Sequence, residues 1–124
     1  MLAALTVLTK ICNQHVIMAV SEAVQRLLNH AHEMIRKKSV IVLLRFYKQY
    51  PQAIDQMDIK MKKALCDKDP SVMSTALNYF AEQVKHRPND FKDLVNSLVV
   101  ILKQVVEHRL PRDYDYHRQP APWV

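Results

Sequence analysis

The chain has 124 residues and a formal net charge of +6 at pH 7, which is enough length for one domain with a buried core. It contains no glycine, although average usage would place roughly nine in a chain of this length. The absence excludes the glycine-rich phosphate loop, the dinucleotide-binding turn and the nucleophile elbow, because each needs glycine at fixed positions. Tight two-residue hairpins are also disfavoured, so we expect a helical chain.

Apolar residues recur at helical spacing along most of the chain, and no strand-like alternation persists. This pattern predicts an all-α fold of about six helices. The predicted helices cover residues 2–12, 16–28, 33–50, 54–65, 70–86 and 89–108. Asp69 and Pro70 give the clearest start signal, because Asp caps helix N-termini and Pro fits the first helical turn.

Two predicted helices have a defined apolar face. On the third helix this face is formed by Ile35, Ser39, Val42 and Phe46, which we expect to be buried. On the second helix a wider set is expected to point inward: Val16, Val20, Ala23, Val24, Leu27 and Leu28. Faces at this spacing are typical of helices that pack against neighbours on one side.

The predicted helices form pairs that repeat along the chain. Equivalent residues are 37 positions apart: Leu28 and Leu65, Ile35 and Val72, Ser39 and Ala76, Val40 and Leu77, Leu43 and Phe80. Each copy has a helix ending in leucine, a short polar turn, and a second helix that opens with a β-branched residue. The arrangement is typical of HEAT or armadillo repeats, and a plain helical bundle is the alternative. We expect a HEAT/armadillo-like α-solenoid segment over residues 1–109.

Residues 110–124 break the helical pattern, because they are rich in proline and carry no apolar stripe. We expect an extended connector that leads to a further repeat, since Pro122 suits the first turn of a following helix. Solenoids need polar end caps, whereas apolar side chains stand near both ends of this sequence. The chain is therefore expected to be a fragment of a longer solenoid.

The positive charge lies almost wholly in the first half of the chain. Residues 1–66 carry ten basic and four acidic side chains, and residues 67–124 carry eight of each. The candidate partner or membrane surface consists of eight bases: Arg36, Lys37, Lys38, Arg45, Lys48, Lys60, Lys62 and Lys63. Such a cluster favours an acidic protein face, an anionic membrane or a nucleic acid. Ordinary solvation of helix surfaces by lysine is the alternative explanation.

Residue types that often serve as catalytic groups or metal ligands, such as His, Cys and Asp, show no catalytic spacing in this sequence. His30 and His32 occupy the first repeat turn and Asp67 and Asp69 the equivalent places in the second, where capping is a simpler role than metal binding. We expect no enzymatic activity, no cofactor and no metal.

Aromatic residues make up only 7% of the chain, which weighs against nucleic-acid binding by stacking of bases on aromatic rings. A free-standing helical-repeat module that binds an acidic partner or nucleic acid through its basic face is the alternative function.

Four stretches carry a resemblance to one family. Residues 32–40 (HEMIRKKSV) are similar to its E-x-V-R-[RK]-K-A-V helix start, and residues 62–73 (KKALCDKDPSVM) to its R-K-x-L-C-D-x-D-x-x-V-M turn. Residues 91–105 are similar to its Y-K-D-L…I-L-K-Q-V helix, and residues 110–123 to its L-P…Y-x-Y-H…P-A-P-[WF] connector. The sequence resembles the trunk of the adaptins, the large subunits of heterotetrameric vesicle adaptors of the gamma, alpha, delta and epsilon class. Its Y-D-Y-H and D-P variants favour the epsilon type.

The resemblance implies a function as well as a fold. An adaptin trunk is expected to be a HEAT-like scaffold in vesicle-mediated intracellular protein transport. The implied partners are the beta, medium and small chains of the adaptor complex, with an Arf-family GTPase and anionic lipid as further ones. The implied location is cytoplasmic, peripheral on trans-Golgi network or endosomal membranes.

Overall fold

The structure is a computed structural model that describes residues 1–11 and 13–107. These residues form α1 (Leu2–Leu8), α2 (Gln14–Arg26), α3 (Glu33–Gln49), α4 (Met57–Leu65), α5 (Pro70–His86) and α6 (Lys92–Val106). Short 3₁₀ turns at Leu27–Asn29, Pro51–Ala53 and Pro88–Phe91 lie between them. The connector predicted at 110–124, the last residue of the predicted sixth helix and Cys12 lie outside the described residues.

The helices pack in two layers. Helices α1, α3 and α5 lie side by side in one layer, with α3 in contact with both of the others. In the second layer α2 packs on α3, and α4 packs on α5. The pairs α2/α3 and α4/α5 are the two helical hairpins that the 37-residue spacing predicts. The prediction of an all-α, HEAT/armadillo-like solenoid segment is therefore confirmed for the described residues.

The core is built from equivalent positions of the two hairpins. Ile35 and Val72 are buried, as are Ser39 and Ala76 four residues later. The small side chains at positions 39 and 76 let the neighbouring helices approach closely. The hydroxyl of Ser39 donates to the Ile35 carbonyl at 2.7 Å, so its burial leaves no donor unpaired. The buried face predicted for α3 is confirmed, since Phe46 and Val42 are also buried.

The apolar face of α2 was predicted only in part. Val24 is buried as expected, but Ala23 is exposed, whereas Ile17 and Ser21 are buried instead. Residues 17, 21 and 24 follow the i, i+4, i+7 spacing of a single face. The apolar band on this helix is wider than the surface that α3 covers, and its flanks are only half-buried.

Two helix boundaries show how the chain turns without glycine. Helix α5 begins where predicted, because the Asp69 carboxylate accepts the backbone N–H groups of Ser71 at 2.9 Å and Val72 at 3.3 Å. Helix α4 begins three residues later than predicted. Gln56 has a φ of 53°, a left-handed conformation that costs a residue with a Cβ about 1–2 kcal/mol. This conformation breaks the helical path before Met57.

Helix α6 has one packed side and one open apolar side. Leu94 packs against the core, and Leu98 and Ile101 line a cavity of about 180 Å³ between α4, α5 and α6. The open side carries exposed side chains at i, i+4, i+7 and i+11: Val95, Val99, Leu102 and Val106. Spacing of this kind is that of a surface on which another helix packs.

None of the helices in the described part of the chain has both the length and the apolar character needed to cross a membrane.

Candidate functional site

The turns of the two hairpins use equivalent side chains in the same way. In the first turn His30 accepts the backbone N–H of His32 at 3.0 Å, and His32 accepts that of Met34 at 3.3 Å. In the second turn Asp67 accepts the backbone N–H of Asp69 at 2.9 Å, and Asp69 caps α5. These side chains therefore organise the turns and the helix starts. Among residues 1–11 and 13–107, no group of three His, Cys, Asp or Glu side chains is placed to hold a metal ion.

Arg36 joins the two turns. Its Nε donates to Asp67 Oδ2 at 2.7 Å and its Nη2 to Asp67 Oδ1 at 2.8 Å. Its Nη1 donates to the backbone carbonyls of His30 and Ala31, both at 2.9 Å. A two-pronged arginine–carboxylate pair is among the strongest and most directional contacts available to a protein. One side chain thus fixes the register of the second hairpin against the first.

The Arg36–Asp67 pair stays charged although it is nearly buried. Burial raises the pKa of a carboxyl group, but the hydrogen bonds from Arg36 and from the Asp69 backbone N–H hold the pKa of Asp67 below its usual value. The hydrogen bond to Asp67 correspondingly raises the pKa of Arg36 against the opposing effect of its burial. Each charge is therefore satisfied by the other within the fold.

Burial of Arg36 corrects the prediction that it belongs to an exposed basic surface. Only 6% of this residue is exposed, and its guanidinium is directed to Asp67 and the first turn. The sequence RKK suggested three equivalent surface bases. The adjacent Lys37 and Lys38 are instead half-buried on α3, because successive residues of a helix point about 100° apart.

The other candidate bases divide between the two layers. Arg45 and Lys48 are exposed on α3 and line a groove of about 400 Å³ between α3 and α5. Lys60 and Lys63 of α4 line a separate cleft of about 710 Å³ beside α2. Lys62 is directed toward α6, where its Nζ donates to Asp93 at 2.7 Å. The predicted cluster is therefore divided. Arg45 and Lys48 form one basic surface, Lys60 and Lys63 form another, and Lys62 belongs to an ion pair between α4 and α6.

The groove between α3 and α5 has an apolar wall and a mixed rim. Ile41, Leu44 and Tyr47 line it from α3 together with Arg45 and Lys48. Helix α5 contributes polar side chains to the opposite wall: Thr75, Asn78, Tyr79, Glu82 and Gln83. The arrangement offers two positive charges beside an apolar strip, which suits a partner surface that is acidic at one edge.

A second polar cluster lies at the N-terminal end of α4, at the opposite end of this helix from the Arg36–Asp67 pair. Asp58 of α4 accepts a hydrogen bond from the Tyr79 hydroxyl of α5 and two from Arg87, both at 3.2 Å. Arg87 also lies over the Phe91 ring at 5.3 Å from its centroid. Sequence reasoning missed this cluster, because its members are 21 and 29 residues apart and no local motif connects them.

The cluster shifts the ionisation of its members. Burial alone raises the pKa of Asp58, but the hydrogen bonds from Tyr79 and Arg87 together hold it below its usual value. Burial and the hydrogen bond to Asp58 raise the pKa of Tyr79 far above its usual value. The phenol of Tyr79 therefore remains a hydrogen-bond donor. The cluster stabilises the packing of α4 against α5.

Replacing Tyr79 with phenylalanine tests this stabilisation. We expect a loss of about 1–2 kcal/mol in the free energy of unfolding, because a hydrogen bond to a charged group is removed while the ring stays in place. Urea unfolding measures the loss. As a control, Lys85→Ala removes an exposed ion pair with Glu82 and is expected to change stability by less than about 0.5 kcal/mol. Equal effects of the two changes would contradict the structural role of the cluster.

Comparisons of this chain with known proteins agree on one family. The family model described as "Adaptin N terminal region" matches residues 1–124. The chain is 43% identical over 122 residues to "AP-4 complex subunit epsilon" of Arabidopsis thaliana. It is 40% identical over 121 residues to "AP-4 complex subunit epsilon-1" of Homo sapiens. It is also 32% identical over 76 residues to "AP-3 complex subunit delta" of Schizosaccharomyces pombe.

The extent of these matches differs between the chain and its relatives. The two epsilon matches cover 98% of this chain but only 13% and 11% of the relatives themselves. The delta match covers 61% of this chain and 9% of the relative. No solved structure gives a significant match. The likeness therefore applies to a short part of much longer proteins.

Proposed function

Because this chain belongs to the adaptin N-terminal region family, we propose that it is a scaffold segment of an adaptor-complex large chain in vesicle-mediated intracellular protein transport. The observation that carries this proposal is the family match over residues 1–124 together with 40–43% identity to epsilon subunits. The two-layer packing supports a mechanical role. Each hairpin buries its face against the next, so partner surfaces on successive hairpins are held at a fixed spacing.

The proposed companions are the beta, medium and small chains of an adaptor complex of the epsilon type. Several relatives have names that identify them as subunits of such complexes, which supports assembly with other chains. We assign no catalytic step to the segment. The nearly buried pair Arg36–Asp67 and the half-buried pair Arg87–Asp58 are engaged in joining parts of the fold, which favours binding over chemistry.

Residues 1–109 are proposed to be part of a longer trunk, with residues 110–124 as the connector to its next repeat. The exposed stripe Val95, Val99, Leu102 and Val106 supports this organisation, since the next hairpin of a solenoid would cover it. The chain also spans only 11–13% of the length of its epsilon relatives.

The α3 basic surface, defined as Lys37, Arg45 and Lys48, is proposed to meet an acidic partner. Arg45 and Lys48 are exposed beside the α3/α5 groove, and Lys37 is half-buried earlier on the same helix. Bases in this arrangement suit a neighbouring chain, an Arf-family GTPase or an anionic lipid surface. The proposed location is supported by the family likeness instead: the cytoplasmic face of trans-Golgi network or endosomal membranes, with peripheral attachment. Each base near an anionic membrane adds about 1 kcal/mol to binding.

Reversal of the α3 basic surface tests its role. We expect the triple change Lys37→Glu, Arg45→Glu and Lys48→Glu to weaken association about a hundredfold or more, because three attractive charges become repulsive. The matched control Lys85→Glu, Lys92→Glu and Lys103→Glu changes the net charge equally on other surfaces. Loss of companion chains would identify a protein contact, and loss of membrane recruitment alone would identify lipid. Retention of both would contradict the proposal.

Affinity isolation of the tagged chain from its own cells tests the proposed function as a whole. Mass spectrometry of the eluted material is expected to identify beta, medium and small adaptor chains. Fractionation of the same cells is expected to divide the chain between cytosol and Golgi or endosomal membranes. Recovery of the chain with nucleic acid, or with no companion chains, would overturn the proposal in favour of a free-standing repeat module.

A further inference from the structure

The two hairpin turns have the same pattern of hydrogen bonds but different acceptors. In the first turn, between α2 and α3, His30 Nδ1 accepts the backbone N–H of His32 at 3.0 Å, and His32 Nδ1 accepts that of Met34 at 3.3 Å. In the second turn, between α4 and α5, the carboxylates of Asp67 and Asp69 take the same two places. Equivalent backbone contacts therefore depend on imidazole in one turn and on carboxylate in the other.

The protonation state of the imidazole decides whether the first turn keeps its contacts. A neutral ring has one nitrogen that accepts a hydrogen bond, whereas a protonated ring has donors at both nitrogens. A positive charge at the N-terminus of α3 is also opposed by the helix dipole. An unperturbed imidazole takes up its proton at about pH 6.5, and an aspartate at about pH 3.9. The contacts of the first turn are therefore present above about pH 6.5 and are lost as the pH falls through this range, while those of the second turn persist.

Solvent reaches both rings, and one of them has a second partner nearby. The His32 side chain is 57% exposed, and His30 is half-buried. Glu33 Oε1 lies 3.6 Å from His32 Nδ1, which is the same nitrogen that caps α3. Once this nitrogen carries a proton it is a donor, and the Glu33 carboxylate replaces the Met34 N–H as its partner. Protonated His32 thus exchanges a backbone contact for an ion pair.

His30 lies among positive charges that come from several elements. The ionisable groups that line the cleft beside it are Arg36 of α3, Lys60 and Lys63 of α4, and Cys66, Asp67 and Lys68 of the second turn. Arg36 and Asp67 form an ion pair, so lysines give the cleft its positive charge. On α2, Arg26 pairs with Glu22 at 2.6 Å. A proton on His30 therefore adds a further positive charge beside the lysines, and the repulsion favours opening of the turn.

Opening of the first turn would reach Arg36. Its Nη1 donates to the carbonyls of His30 and Ala31, both at 2.9 Å, so it binds the backbone that the two imidazoles organise. Its contacts with Asp67 in the second turn do not depend on histidine. Protonation would therefore loosen the first hairpin at its turn while the second turn keeps its structure.

We propose that the first hairpin turn is a proton-sensitive element of the fold: below about pH 6.5 His30 and His32 release the backbone at the start of α3, and His32 pairs with Glu33 instead. The proposal is independent of the adaptor assignment. Because His32 exchanges one contact for another, the change is a local loosening. Global stability still declines mainly below about pH 4, where the carboxylates titrate.

Hydrogen exchange of the tagged protein, isolated from its own cells and followed by mass spectrometry, tests the proposal. The backbone amides of His32 and Met34 report on the first turn, and those of Asp69 and Ser71 report on the second turn of the same molecule. After correction for the intrinsic effect of pH on exchange, protection in the first turn is expected to fall about tenfold between about pH 7.5 and pH 5.5, as for the loss of one or two neutral hydrogen bonds. Protection in the second turn is expected to stay within about twofold, because its carboxylates remain ionised.

Three double variants show whether the imidazoles cause the change. His30→Asp with His32→Asp gives the first turn the acceptors of the second, and is expected to keep its protection at both pH values. His30→Asn with His32→Asn is the uncharged equivalent if the acidic variant does not fold, since asparagine also caps helices and does not titrate. His15→Gln with His86→Gln removes two exposed histidines elsewhere and is expected to keep the full pH response. Unchanged protection in the first turn, equal losses in the two turns, or a response that persists without His30 and His32 would overturn the proposal.

Discussion

Replacing Phe46 with alanine is expected to lower the free energy of unfolding by about 3–5 kcal/mol. Phe46 is fully buried near the C-terminal end of α3, and α3 packs against both α1 and α5. Truncation removes the transfer free energy of the ring and leaves a cavity that the two-layer packing cannot fully close. A domain of this size has only about 5–15 kcal/mol of stability in total, so a large part would be lost.

Lys48→Ala is the matched control for Phe46→Ala. Lys48 lies two residues further along the same helix but is exposed, and its truncation is expected to change stability by less than about 0.5 kcal/mol. Urea unfolding of both variants compares the two faces of α3 directly. Small and equal losses would contradict the placement of Phe46 in the core.

Replacing Asp67 with alanine is expected to cost about 3–5 kcal/mol of unfolding free energy. The change leaves the Arg36 guanidinium nearly buried with only the His30 and Ala31 carbonyls as partners. An uncompensated charge inside a fold is more costly than the loss of the ion pair itself. The second hairpin would also lose its link to the first turn.

Two controls separate the buried pair from ordinary surface ion pairs. Asp93→Ala removes a pair with Lys62 in which the Asp93 side chain is 62% exposed, so it is expected to cost at most about 1 kcal/mol. The double change Arg36→Met and Asp67→Leu removes both charges, and most of the lost stability is expected to return. A cost for Asp67→Ala no larger than that for Asp93→Ala would show that Arg36 does not join the hairpins.

Stability is also expected to fall in acid because of two carboxylates. Asp67 and Asp58 both have pKa values below their usual range in the folded chain. Their contribution is therefore complete above the unfolded-state pKa, which is about 3.9, and is lost as pH falls through the lower folded-state values. Urea midpoints measured between neutral pH and strong acid should decline mainly below about pH 4. Asp67→Ala should flatten this decline.

Local and repeating features of the fold could be predicted from the sequence. The cap at Asp69 and the proline after it located the start of α5, and the 37-residue spacing located equivalent core positions in the two hairpins. These predictions succeeded because each depends on neighbouring residues or on a period. The adaptin resemblance rested on specific motifs in the same regions, and the family comparisons confirm it.

The polar contacts that join the helices could not be predicted in the same way. Arg36 stands in a run of three bases, a pattern that predicts an exposed surface. Its actual partner, Asp67, is 31 residues away. Tyr79 and Arg87 meet Asp58 only after α4 and α5 have packed. The delayed start of α4 depends on the left-handed backbone of Gln56, a conformation that glutamine does not signal. Tertiary packing decided each of these features.

The mass of the native particle that contains this chain tests the central claim most directly. The particle, isolated through a tag on the chain and weighed by native mass spectrometry, is expected to contain one copy each of four different chains: the proposed large chain that carries this segment, a beta chain, a medium chain and a small chain. A particle made of this chain alone, or of several copies of it, would contradict its assignment as a scaffold segment of an adaptor complex.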